Sequence, residues 1–150
     1  MNARELSQAA VFSALGVAIR LLKHAIAGTL QFMNAPLLAT IVGACVGGPT
    51  VGALTGALSF LASDAVLGLG PWTLLNSALA SLIGLAWGRI SPKHGFATIF
   101  TLSFLTVFVY DIVSSFALYV LFIGDLRAAL LYAFLGLYIP VMGGYLIGVG

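Results

Sequence analysis

Charge is what this sequence has least of: 7% of its 150 residues are Asp, Glu, Lys or Arg, six basic and four acidic. So few ionic groups cannot cover the surface of a compact soluble body of this mass. The net charge of +2 is small and scattered, which excludes the dense basic face that nucleic-acid binding requires. Cysteine is nearly missing as well. Cys45 stands alone in an apolar run, so no intrachain disulfide can form, no cysteine metal site can be assembled, and a small packing role is expected. No HExxH pair, GxSxG elbow or GxxxxGK[ST] loop occurs, so no catalytic centre, cofactor or metal is expected. His24 and His94 fall on opposite sides of the expected topology, which argues against histidine catalysis, and His94 beside Lys93 reads as a solvated loop residue.

What fills the space is hydrocarbon. Hydrophobic residues make up 61% of the chain and mean hydropathy is +1.15, so the solvent for nearly every segment is lipid. Apolar runs bounded by charge, glycine or proline predict an all-α, polytopic membrane protein. It forms a single transmembrane domain over 1–150, a bundle of about six helices near 6–23, 32–47, 50–67, 71–88, 97–123 and 126–148. The second span is short for a bilayer and the fifth is long enough to tilt. Arg4 ahead of an apolar stretch and Ala25-Ile26-Ala27 imitate a cleavable signal. Glu5, Arg20 and Lys23 break that pattern, so the segment is expected to stay as the first helix. The stretch from His24 to Gln31 has no strong helical period and is expected to be a loop, a candidate lid. No nucleotide-hydrolysing machinery is visible, so active work must be powered from elsewhere.

Small residues recur at four-residue spacing: Gly43 with Gly47, then Gly48, Gly52 and Gly56, then Gly84 with Gly88 and Gly144 with Gly148. Glycines four apart share a helix face and let two backbones touch, so close internal packing is expected, with an oligomer interface as the alternative. Ala10, Ala14 and Ala18 make an alanine version on the first helix. Spacing alone leaves two uses open for that stripe, ordinary packing inside the bundle or a docking strip on its outside.

Polar groups inside a membrane are costly, so each is a candidate for function or one half of a buried pair. Asp111, Ser115 and Tyr119 lie four apart on the fifth span, with Tyr110 and Ser114 alongside. They could form a structural hydrogen bond, a ligand contact or an ion relay. Trp72 opens the fourth span after Gly70-Pro71, with Asn76 one turn deeper; an interfacial anchor and an aromatic site wall both fit. Six crossings would bring Arg20, Lys23, Asp64, Trp72, Asp125 and Arg127 to one side of the membrane. Asp64 there either pairs with a basic neighbour or meets a solute, and Arg20 and Lys23 either snorkel to the interface or converge on a ligand. Basic residues divide three against three, Arg4, Arg89 and Lys93 against Arg20, Lys23 and Arg127, so charge does not set orientation.

The alanine stripe, Ala35-Pro36-Leu37-Leu38 leading into Gly43 to Gly48, then Gly52, Gly56, Ser63-Asp64 and Pro71-Trp72, form a pattern that covers essentially the whole chain. It resembles the substrate-binding S components of energy-coupling factor transporters. The resemblance implies a subunit that captures a small water-soluble vitamin, with both termini cytoplasmic and its site opening outward. It implies docking through Ala10, Ala14 and Ala18 on a transmembrane coupling subunit, and two ATPase subunits completing the complex. The S component would then topple in the bilayer and carry its solute inward. Ligand contacts would come from Trp72, Asn76, Asp111, Ser115 and Tyr119 first, then Tyr110, Arg20, Lys23 and Asp64. The pattern departs at the end, where the sequence stops soon after Gly148 and is short for the family. A small ion-coupled transporter using Asp111, or a scaffold subunit packed through its glycine faces, has the same composition.

Overall fold

A computed structural model describes residues 2–28, 33–90 and 95–135. The described residues form six helices and no strand: α1 (Ala3–Ala27), α2 (Ala35–Gly47), α3 (Pro49–Leu67), α4 (Pro71–Trp87), α5 (Phe96–Ile123) and α6 (Leu126–Leu135). Local chemistry sets their ends. Asn2 opens α1 with a reciprocal capping box: its side chain accepts from the Glu5 amide at 2.8 Å, and its own amide donates to the Glu5 carboxylate at 3.0 Å. Proline occupies the first turn of α2, α3 and α4, where a missing N–H costs nothing. Gly48 turns α2 directly into α3 at φ 86°, a backbone region that favours glycine.

The expected loop from His24 is corrected in its first half. Nothing between His24 and Ala27 breaks a helix, and α1 runs on to Ala27 before Gly28 ends it at φ 59°. Residues 29–32 lie outside the described residues, as do Lys93, His94 and the Gly144–Gly148 pair.

The bundle is built inside out relative to a soluble protein. Among the described residues, buried positions include 14 hydrophobic and 13 polar or charged side chains, so the interior is no greasier than a surface. Large apolar side chains instead face outward, with Phe96 86%, Ile26 78% and Leu74 72% exposed. An apolar coat of that extent belongs in lipid. Three helices, α1, α3 and α5, are long and apolar enough to cross a membrane. The 13 residues of α2 reach only about 20 Å at 1.5 Å each, short of the roughly 30 Å hydrocarbon core. α2 is mostly buried among its neighbours.

Contacts divide the molecule in two. Helices α1 to α4 pack closely on one another around α3, and α5 with α6 forms a second layer that meets the first more narrowly through α4. The glycine series explains the tightest seam. A Cβ on Gly52 would fall 2.6 Å from the Gly84 carbonyl oxygen, and one on Gly56 would fall 2.6 Å from that of Ala80. A Cβ on Gly88 would meet the Pro49 backbone. α3 and α4 therefore run antiparallel with backbones in contact, as the four-residue spacing predicts. Gly16 leaves room on α1 for side chains of α2 and α3, where a Cβ would lie 2.8 Å from Ser59 Oγ and 3.0 Å from Ala39 Cβ.

Candidate functional site

α1 buries Ala9, Ser13, Gly16, Arg20 and Lys23, spaced four and three apart, so one seam of the helix carries two cations into the bundle. A cation buried this way must be paired, because an unpaired charge in a low-dielectric interior costs several kcal/mol. Arg20 is 6% exposed and meets Asp64 of α3, 1% exposed, at 2.8 Å between Nη2 and Oδ1. Its Nη1 donates to Ser63 Oγ at 2.5 Å, and Ser63 in turn donates to the Ser59 carbonyl at 2.6 Å. The guanidinium carbon stands 5.2 Å from the centroid of the Phe60 ring, a cation–π contact. Phe60 continues to Tyr110 of α5, with ring centroids 6.0 Å apart.

Lys23 lies three residues beyond Arg20 on the same face, and its Nζ donates to the Met33 carbonyl at 3.2 Å. Asn34 follows Met33 and has two roles. Its side-chain oxygen accepts from the Leu37 amide at 3.1 Å and caps α2, while the side chain also hydrogen-bonds Asp111 of α5. Asp111 lies within electrostatic reach of Lys23. Four of the ten charged Asp, Glu, Lys and Arg residues in the sequence thus gather where α1 and α3 end and α2 begins. They number two cations and two carboxylates.

The predicted residues divide as follows. Arg20, Lys23, Asp64, Tyr110 and Asp111 come together. Asn76 is fully buried on α4, and the α3/α4 register, Gly52 at Gly84 and Gly56 at Ala80, carries on to set it level with Phe60. Ser115 is buried one turn from Asp111, its hydroxyl without a hydrogen-bond partner. Trp72 sits at the start of α4, half-buried, its indole folded against Gly70. Tyr119 packs on Tyr132 of α6, the two rings tilted at 37° with centroids 5.8 Å apart. The stripe of Ala10, Ala14 and Ala18 is exposed, beside the seam that α1 uses for packing.

Arg20 and Lys23 do not snorkel, since both are buried, and Asp64 has found its basic neighbour. Sequence reasoning missed Asn34, Phe60 and Ser63. Asn34 did carry a signal, for it immediately precedes Ala35-Pro36, the N-cap position of a helix with proline in its first turn. Among the described residues no three His, Cys, Asp or Glu side chains stand close enough to share a metal ion. Chemically the arrangement can offer cationic donors, carboxylate acceptors and aromatic faces to a small polar molecule.

No protein-family model matches the chain, and neither a curated protein nor a solved structure matches it. The resemblance to the S components stands on the residue pattern quoted above.

Proposed function

We propose that this chain is the solute-capturing membrane subunit of an ATP-driven micronutrient importer of the energy-coupling factor type. The observation that carries the reading is the convergence of Arg20, Lys23, Asn34, Asp64 and Asp111 at one end of a bundle whose exterior is apolar. A scaffold subunit has no use for three buried charges and a fourth part-buried one, which each cost free energy to hold in a membrane. In this reading the protein is not an enzyme: it crosses the cell membrane six times with both termini in the cytoplasm, and the charged end opens outward. Trp72, Asn76, Ser115 and Tyr110 border the site beside the charges, and a water-soluble vitamin is the solute. The exposed Ala10, Ala14 and Ala18 form a smooth strip on which a transmembrane coupling subunit docks, bringing two ATPase subunits with it.

The test is mass spectrometry of the small molecules that leave the purified protein on denaturation. One tightly held solute per chain, reduced in Asp111→Asn, is the expected result. Protein that purifies empty and fails to retain any vitamin offered to it removes the proposal.

One observation favours a second reading. Asp111 is only part-buried and faces both a cation and an amide, as a carboxylate that exchanges protons would. In an ion-coupled transporter, vesicles holding this chain alone would accumulate solute under a proton gradient, and Asp111→Asn would abolish that uptake. A capture subunit does neither without its ATPases.

A further inference from the structure

The narrow junction between the two layers leaves a cleft of about 500 Å³ between α4 and α5. Ile83, Trp87 and Ile90 line it on the α4 side, and Leu102, Thr106 and Val109 on the other. The Trp87 indole N–H donates to Thr106 Oγ1 at 3.1 Å, and Thr106 donates to the Leu102 carbonyl at 2.8 Å. These two groups satisfy each other, and apart from the Tyr110 ring, whose hydroxyl is buried, the walls are apolar, so an occupant needs mainly hydrocarbon to match them. The cleft is open along its length toward the apolar, lipid-facing exterior. At its α4 end stands Arg89, exposed in the turn between the lining residues Trp87 and Ile90. One of its five donors is spent on the Leu85 carbonyl at 2.8 Å.

We infer that the α4/α5 cleft binds an anionic phospholipid, with an acyl chain along the apolar walls and the phosphate on Arg89. Charge complementarity selects the occupant. A hydrocarbon groove alone would accept any lipid, but a guanidinium at its end favours a headgroup with net negative charge, because a zwitterionic one carries its own cation to compete. The cleft shares one wall residue, Tyr110, with the Arg20–Asp64 cluster but none of its charges, and the inference does not depend on the transport reading.

Trp87 reports directly on the cleft. The protein would be reconstituted as the Trp72→Phe variant into phosphatidylcholine vesicles containing rising fractions of lipid brominated on its acyl chains, and Trp87 fluorescence would be followed. Brominated phosphatidylglycerol is expected to half-quench at about a fivefold lower mole fraction than brominated phosphatidylcholine, the ratio for roughly 1 kcal/mol from one basic residue. Arg89→Gln should erase that ratio while leaving quenching itself intact, and Ala86→Phe, which fills the cleft from its exposed rim, should weaken quenching by both lipids. Equal quenching by the two lipids, or a ratio unchanged in Arg89→Gln, overturns the inference and makes the cleft ordinary lipid-facing surface. Absence of quenching by either also overturns it, with residues 136–150 or another protein as the occupant.

Discussion

At one end of the α3/α4 hairpin the backbones touch through Gly52, Gly56, Gly84 and Gly88; toward the other, Ser63 and Asp64 of α3 meet Arg20 of α1. The glycine end gains dispersion contact along a seam with no side chain between the helices, which suits a lipid environment where the hydrophobic effect does not drive helices together. The charged end spends that closeness on long side chains and holds them by ion pairing and hydrogen bonds. A seam of the first kind can only be structural. A cluster of the second kind costs free energy to keep, and it is where a solute site is sought.

Substitutions can break this contrast. The largest effect is expected from Asp64→Leu, which leaves the Arg20 guanidinium buried without its counterion and should cost about 3–5 kcal/mol in unfolding of the detergent-solubilised protein. The double variant Arg20→Met/Asp64→Leu should recover most of that stability without recovering solute retention. A double variant as unstable as the single one would mean that the pair is not what Asp64 contributes. At the other end, Gly52→Val drives two methyls into the Gly84 carbonyl and should cost about 1–3 kcal/mol while leaving retention of any solute intact. Loss of retention there would erase the division of labour between the two ends. Trp87→Phe removes the bond to Thr106 at the cleft and should cost about 1 kcal/mol by the same unfolding measurement. Smallest of all is Ala14→Leu. Its side chain points outward, so the unfolding midpoint should not move, whereas co-purification with a coupling subunit should be lost. Retained association would return the alanine stripe to being plain surface.

Much of the helical framework was legible because its punctuation is local. Pro49, Pro71 and Gly124 mark helix ends by their own backbone chemistry, and the expected spans agree with α3, α4 and α5 to within a residue. The stretch His24 to Ala27 was misread as loop because it carries no strong helical period of its own, although no helix breaker occurs before Gly28. Apolar runs named six spans, of which α1, α3 and α5 are long enough to cross by length and composition, while α2 keeps only 13 helical residues once Asn34 caps it. The polar site was legible as an inventory and not as a geometry. Asp111 stood out alone, but its neighbours Lys23 and Asn34 are distant in sequence, and spacing on one helix says nothing about which helices face each other. Tyr119, grouped with Asp111 by spacing on α5, has a neighbour the sequence did not name, Tyr132 of α6.

The membrane voltage supplies a last consequence. With Arg20, Lys23, Asp64 and Asp111 all ionised, the cluster carries two positive and two negative charges and sums to zero. A unit charge moved through 100 mV exchanges about 2.3 kcal/mol with the field, and a neutral assembly exchanges almost none. Tilting or sliding that end of the bundle across the bilayer would therefore be nearly blind to membrane potential, and any voltage sensitivity of uptake would report the charge of the cargo.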